Sequence, residues 1–246
     1  MTDRPTYYPV FLDLRDRRAV IVGGGEAALG RARRLVEAGA RVTVIAPHLD
    51  AGLADLATSG AVHHVARDFQ AGDLEGAWLV VTEQLPRAAA AAIYREAEQR
   101  RVFCCVEDDL DHVSYIHPSV VRRGDLAVAI STAGSAPVLA VRLRQELEER
   151  LGPHHTRFLE LAAAVREPLA RRTPEFAERR RRWYRLIDSD VLDLLARGDE
   201  GGARDRFRQI LGVAPGDEAG DEAGTLDSPL PEIAPPPSPE TQETAP

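Results

Sequence analysis

Apolar residues in the first half of the chain come in short runs rich in branched side chains. They stand at "RRAVIVGG" (17–24), "ARVTVIAP" (40–47), "AVHHVAR" (61–67), "AWLVVTE" (77–83) and "VFCCVED" (102–108). Runs of this length, bounded by glycine, proline or charge, predict buried strands. Between them the pattern widens to the helical period. "EAALGRARRLVEAG" predicts a helix stopped by Gly39, and "PRAAAAAIYREAEQRR" one opened by Pro86. The first strand, helix and second strand fit the length of a right-handed βαβ unit. Strands alternating with helices predict an α/β fold, with a parallel sheet covered on both faces.

Beyond residue 113 the pattern changes. "SYIHPSVVRRGDLAVAIST" (114–132) predicts two extended segments about a turn at Arg123-Gly124-Asp125, and "SAPVLAVRLRQELEERLG" (135–152) predicts a helix. Residues 153–212 read as helical and arginine-rich, with breaks near Pro168, Pro174 and Ser189. Residues 213–246 hold 8 of the 17 prolines, eight acids and no arginine, and are expected to be disordered. Those acids account for the whole net charge of −8. Residues 1–212 are neutral overall, so no nucleic-acid partner is expected.

No apolar run approaches the ~20 residues that span a bilayer, and "MTDRPTYYPVF" has no signal-peptide core. A cytoplasmic protein without membrane association is expected. The two cysteines, Cys104 and Cys105, are adjacent and make no disulfide framework. Strand packing is the expected role of Cys105, and no metal site is expected. All 31 basic residues are arginine. That excludes a Walker-type phosphate lysine, a pyridoxal Schiff base and a lysine general base.

Candidate chemistry begins where the first strand meets the first helix. Gly23-x-Gly25-x-x-Ala28 has the spacing of a dinucleotide-binding turn. The first glycine permits the tight turn, the second lets backbone approach a pyrophosphate, and the third small residue lets helix and strand pack closely. The helix N-terminus then offers N–H groups and partial positive charge to the phosphates. The second strand ends Ile45-Ala46-Pro47-His48, without the acid that usually meets the adenosine ribose. The residues themselves leave NAD and NADP open.

Glu107, Asp108 and Asp109 follow the fifth strand, at the sheet end where ligands sit. A carboxylate there is either a proton acceptor or part of an acidic, helix-capping loop. "STAGSAP" (131–137) precedes a helix, which it either caps or equips to receive an anion. Between Arg166 and Arg185 eight arginines face three acids. This is either a solvated helix face or a site for a polycarboxylate, since arginine forks match carboxylates. Trp183 and Tyr184 either stack on a flat ligand or anchor their helix.

Taken in order, "YYPVFLDLRDRRAVIVGGGEAALGRARRLVEAGARVTVIAP", "RRVFCCVEDD" and "SYIHPSVVRRGDLAVAISTAGSAPVLAVRLRQELE" resemble the precorrin-2 dehydrogenase family. That family forms the N-terminal module of siroheme synthase and is related to the bifunctional dehydrogenase/ferrochelatase of yeast. The resemblance runs from about Tyr8 to Leu211. It implies a Rossmann-like domain at 1–113, a dimerisation region at 114–152 and a helical domain at 153–212, ahead of the tail. It implies NAD as hydride acceptor, precorrin-2 as a polycarboxylate tetrapyrrole substrate, sirohydrochlorin as product and a homodimer. Some members also insert ferrous iron.

The resemblance puts cofactor contacts at Gly23, Gly25, Glu26, Ala27, Pro47, His48 and Thr82. It puts the essential aspartate on Asp108 and the serine–glycine loop on Ser131, Thr132 and Gly134. Arg180 and Arg181 are the expected contacts to the substrate carboxylates. The chain departs from the family pattern at Cys105, at Gly30-Arg31, at Thr132 and at Thr82-Glu83-Gln84-Leu85, the tip of the fourth strand. A non-catalytic NAD or tetrapyrrole sensor of the same fold is the rival expectation.

Overall fold

The branched runs at 18–22, 41–45, 62–65, 77–82 and 103–105 form one parallel sheet. Its strands are β1 (Arg18–Val22), β2 (Arg41–Ile45), β3 (Val62–Val65), β4 (Ala77–Thr82) and β5 (Phe103–Cys105), in the order β3-β2-β1-β4-β5. A computed structural model of the chain describes residues 5–83 and 85–217. It divides into two units, Met1–Thr156 and Arg157–Pro246.

Period-two alternation sends successive side chains to opposite faces of the sheet. Ala19 and Ile21 of β1 pack with Val42, Val44 and Val81 under α1 (Glu26–Glu37) and α2 (Ala51–Thr58). Val20 and Val22 pack with Ile45, Val80 and Cys104 against Ile93 and Ala97 of α3 (Arg87–Arg100). Both cysteines are buried, as strand packing required, and burial pushes the Cys104 thiol up to about 12. The short α2 was not foreseen.

The link from β3 to β4 is pinned from below by Glu96 of α3. Its buried carboxylate accepts from the Gly72 N–H at 3.0 Å, the Leu74 N–H at 3.2 Å and Arg100 Nε at 2.9 Å. Glu96→Ala strands the N–H of the fully buried Leu74, whereas Gly72 is exposed and its N–H can turn to water. We expect it to cost about 1–3 kcal/mol in chemical denaturation, from the penalty of one unpaired buried donor. Glu96→Gln should cost less, because an amide oxygen still accepts. Equal stability of Glu96→Ala and the parent would show that this loop holds itself.

The first unit ends with the hairpin β6 (Ser119–Arg123) and β7 (Leu126–Ile130) and with α4 (Pro137–Arg150). In the second unit α5 (Pro153–Arg172) passes through Pro168 without ending. The expected break is overridden because Phe158, Leu161, Val165 and Leu169 form a buried stripe along one face that continued helix preserves. Breaks do occur near Pro174 and Ser189, separating α5, α6 (Phe176–Ile187) and α7 (Val191–Ala196), with α8 (Glu200–Leu211) last.

The tail begins later than residue 213. Val213 and Ala214 are buried, Ala214 N–H donates to Asp217, and Asp217 pairs with Arg208 at 3.0 Å. Val213 joins the helical core before the composition turns. The rest of the expected tail lies outside the described residues. Among the described residues no helix is long and apolar enough to cross a membrane.

Candidate functional site

Strand order fixes which loops can meet. The chain leaves β1 toward β2 and β3 on one side, and β4 and β5 lie on the other, so the connections diverge above β1 and β4. Ligands bind at such switch points, beyond the carboxyl ends of the strands. Val22 is the register partner of Thr82, and Val81 that of Cys105. The glycine turn, the tip of β4 and the acidic loop after β5 are therefore neighbours.

The glycine turn has the expected form. Gly23 takes φ +128, a conformation that side chains rarely adopt. Gly24 was not singled out in the sequence, yet a Cβ there would overlap the His48 carbonyl. Asp50 N–H also donates to the Gly24 carbonyl at 2.8 Å. The turn is thereby locked to the end of β2, where Pro47 and His48 are exposed. Gly25 is the N-cap of α1, with no side-chain cap of its own. Glu26 and Ala27 open the helix on its exposed side, and Ala28 is fully buried against β1.

Thr82 ends β4 beside this turn. It is fully buried, and its hydroxyl donates to the Glu83 carbonyl at 2.8 Å. Alternation along a strand sends neighbouring side chains to opposite faces. Glu83 meets the turn: its carboxylate accepts from Gly25 N–H at 3.0 Å and from Ala28 N–H at 3.1 Å.

The three acids after β5 separate by their partners. Glu107 is bound by Arg31 at 2.7 Å, and the same guanidinium donates to the Thr82 carbonyl at 2.8 Å. Asp109 faces His112 at 2.6 Å and accepts from Asp111 N–H, opening a single 3-10 turn at Leu110–His112. The His112 hydrogen bond holds Asp109 below the usual carboxylate range. Asp108 has no hydrogen-bond or ion-pair partner among the described residues. It is exposed and takes φ +58, a left-handed conformation that aspartate tolerates better than most residues. It lines an open cleft of about 480 Å³ with Leu85, Leu110 and Arg87, whose guanidinium is 3.5 Å from Asp111.

The serine–glycine loop reaches the wall of that cleft. At Gly134 (φ +77) a Cβ would stand 3.4 Å from Leu110. Thr132 Oγ1 accepts from Ala136 N–H at 3.3 Å and Ser131 Oγ from Ala133 N–H at 3.1 Å. Both hydroxyl oxygens thus organise the turn before α4, while each O–H stays available as a donor. Arg180 and Arg181 belong to the second unit. Arg181 is held by Glu178 at 2.6 Å, whereas Arg180 is exposed and without a partner among the described residues. Trp183 packs edge-on against Phe207 at 6.5 Å and anchors its helix, and Tyr184 is exposed. No cluster of metal-ligating side chains occurs among the described residues.

A parallel sheet of this order, with a glycine turn at the head of α1 beside its switch point, defines a dinucleotide-binding protein of the Rossmann class. Family models agree and go further. An NAD(P)-binding model matches residues 10–119, the central region of sirohaem biosynthesis proteins matches 123–150, and the sirohaem synthase dimerisation region matches 154–211. The chain belongs to the family that forms the N-terminal module of siroheme synthase. It is 43% identical over 198 residues to siroheme synthase 3 of Aeromonas hydrophila, covering 80% of this chain and 42% of that one. It is 38% identical over 198 residues to the siroheme synthase of Photobacterium profundum, with the same coverage. The chain thus spans less than half the length of these curated relatives. Among solved structures it resembles SirC, a precorrin-2 dehydrogenase, with a TM-score of 0.66 and 21% identity, over 84% of this chain and all of that one.

Proposed function

We propose that the chain is an NAD-dependent precorrin-2 dehydrogenase that oxidises its substrate to sirohydrochlorin. The observation that carries this reading is a partnerless carboxylate, Asp108, in a cleft at the same sheet end as a dinucleotide turn. Bound NAD supplies the hydride acceptor. The turn at Gly23–Gly25 and the N–H groups of Glu26 and Ala27 hold its pyrophosphate, with Pro47 and His48 at the ribose end. Asp108 accepts the proton that leaves the macrocycle as the hydride departs. Arg31 holds Glu107 aside and His112 holds Asp109 aside, so one carboxylate of the three remains to act. Leaving hydride and proton account for the two electrons and two hydrogens lost. Positioning supplies much of the rate, since oxidation extends conjugation without covalent help.

In the first unit the O–H donors of Ser131 and Thr132 beside Gly134 are offered to carboxylates of the substrate; taken by itself, the helical unit offers carboxylates Arg180 and Arg181. Because Arg181 is already engaged by Glu178, Arg180 is the stronger contributor. Arg180→Gln is expected to raise the Michaelis constant for precorrin-2 roughly two- to fivefold, the range of an exposed charge pair. The effect should shrink in high salt, where exposed charges are screened within ~10 Å. NAD binding should not change. Identical substrate kinetics would leave Arg180 on a solvated face.

The chain acts as a homodimer in the cytoplasm. Residues 154–211 carry the dimerisation description, and Val138 (80% exposed), Leu139 and Val141 leave an apolar face on α4 in 114–152. Both regions are offered to a partner copy. The test of function is incubation with precorrin-2 and NAD while the macrocycle absorbance is recorded, repeated with ferrous ion to detect chelation. Formation of sirohydrochlorin only when NAD is present supports the reading; an unchanged spectrum refutes it. A non-catalytic sensor is the second reading, favoured by the Glu83 carboxylate in the phosphate turn, and turnover excludes it.

A further inference from the structure

Glu83 sits where a dinucleotide phosphate has to go. Its Oε2 is 3.0 Å from the Gly25 nitrogen and its Oε1 3.1 Å from the Ala28 nitrogen, so one carboxylate spans two free donors at the head of α1. The space that the glycines leave open is the space it fills. A Cβ at Gly23 would overlap the carboxylate, and one at Gly25 would stand 2.8 Å from Oε1. Helix α1 has no capping side chain of its own, and Glu83, arriving from β4, takes that place.

We propose that Glu83 is an internal occupant of the phosphate cradle, and that the cofactor binds by displacing it. The proposal rests on the dinucleotide reading above. The carboxylate takes the N–H groups of Gly25 and Ala28, which flank those of Glu26 and Ala27 where the phosphates are to bind, and two anions cannot sit side by side at this distance without strong repulsion. The backbone of Glu83 is not free to leave: its N–H donates to the Val22 carbonyl at 2.9 Å, and its carbonyl accepts from Thr82 Oγ1. Only the side chain, with its rotatable bonds, can swing away. The free protein therefore keeps α1 capped, and binding exchanges one anion for another.

Competition and capping give opposite signs in two measurements. Glu83→Ala should tighten NAD binding roughly tenfold in calorimetry, about the worth of a capping interaction converted to affinity. The same variant without cofactor should melt about 2–4 °C lower, because the cap is gone. Glu83→Gln, which keeps the size but loses the charge, should fall between parent and alanine in affinity. Inorganic pyrophosphate should raise the melting temperature of Glu83→Ala more than that of the parent. A side chain that only supports the fold would weaken both stability and binding. Unchanged or weaker NAD affinity in folded Glu83→Ala and Glu83→Gln overturns the proposal. If neither the parent nor any variant binds NAD, the dinucleotide reading itself falls, and this proposal with it.

Discussion

Asp108→Asn is expected to lower precorrin-2 turnover roughly 100-fold or more, the usual size of a general-base effect, while NAD affinity stays as it was. The change keeps the shape of the side chain and removes its capacity to take a proton. It breaks no contact, because the carboxylate has no partner among the described residues. The neighbours should behave differently. Glu107→Gln weakens the link to Arg31, which also holds the Thr82 carbonyl. Asp109→Asn weakens the hydrogen bond to His112 and the cap at Asp111. Both should cost stability more than turnover. Normal turnover in Asp108→Asn together with a dead neighbour would move the proton acceptor to that neighbour.

Gly25→Asp should abolish measurable NAD binding in calorimetry and leave a folded protein. The backbone at Gly25 is extended, with φ −90 and ψ −168, which any residue can adopt. The new side chain, however, points a second carboxylate at the donors already contested by Glu83. Gly23 and Gly24 would be poorer probes. At Gly23 the backbone itself requires glycine, and at Gly24 the His48 carbonyl stands in the way, so substitution there unsettles the turn before it reports on the cofactor. Unaltered NAD affinity in Gly25→Asp would remove the phosphates from this turn.

The sheet was legible because its central strands are buried over most of their length. β1, β2 and β4 are continuous branched runs, and burial on both faces leaves little room for another reading. The helix α2 escaped because Ala51–Thr58 is short and alanine-rich, with only Leu53 fully packed. Pro168 misled in the other direction: proline is a helix breaker in isolation, but the buried stripe on α5 outweighs one missing N–H. At the site, the glycine spacing and the acidic loop could be read from neighbours in sequence. Glu83 could not, since its role depends on β4 lying beside β1, a partnership set by strand order across 58 residues. The same holds for Arg31, whose pairing with Glu107 decides which of three adjacent carboxylates is left free.

The most direct test of the central claim is the stoichiometry of the reaction. Purified protein is mixed with precorrin-2 and limiting NAD, and reduced nicotinamide and sirohydrochlorin are quantified in the same sample. The account predicts one reduced nicotinamide per oxidised macrocycle in the parent protein and neither product in Asp108→Asn with NAD bound. Oxidation of the macrocycle without matching nicotinamide reduction, or equal yields from the parent and Asp108→Asn, would contradict it.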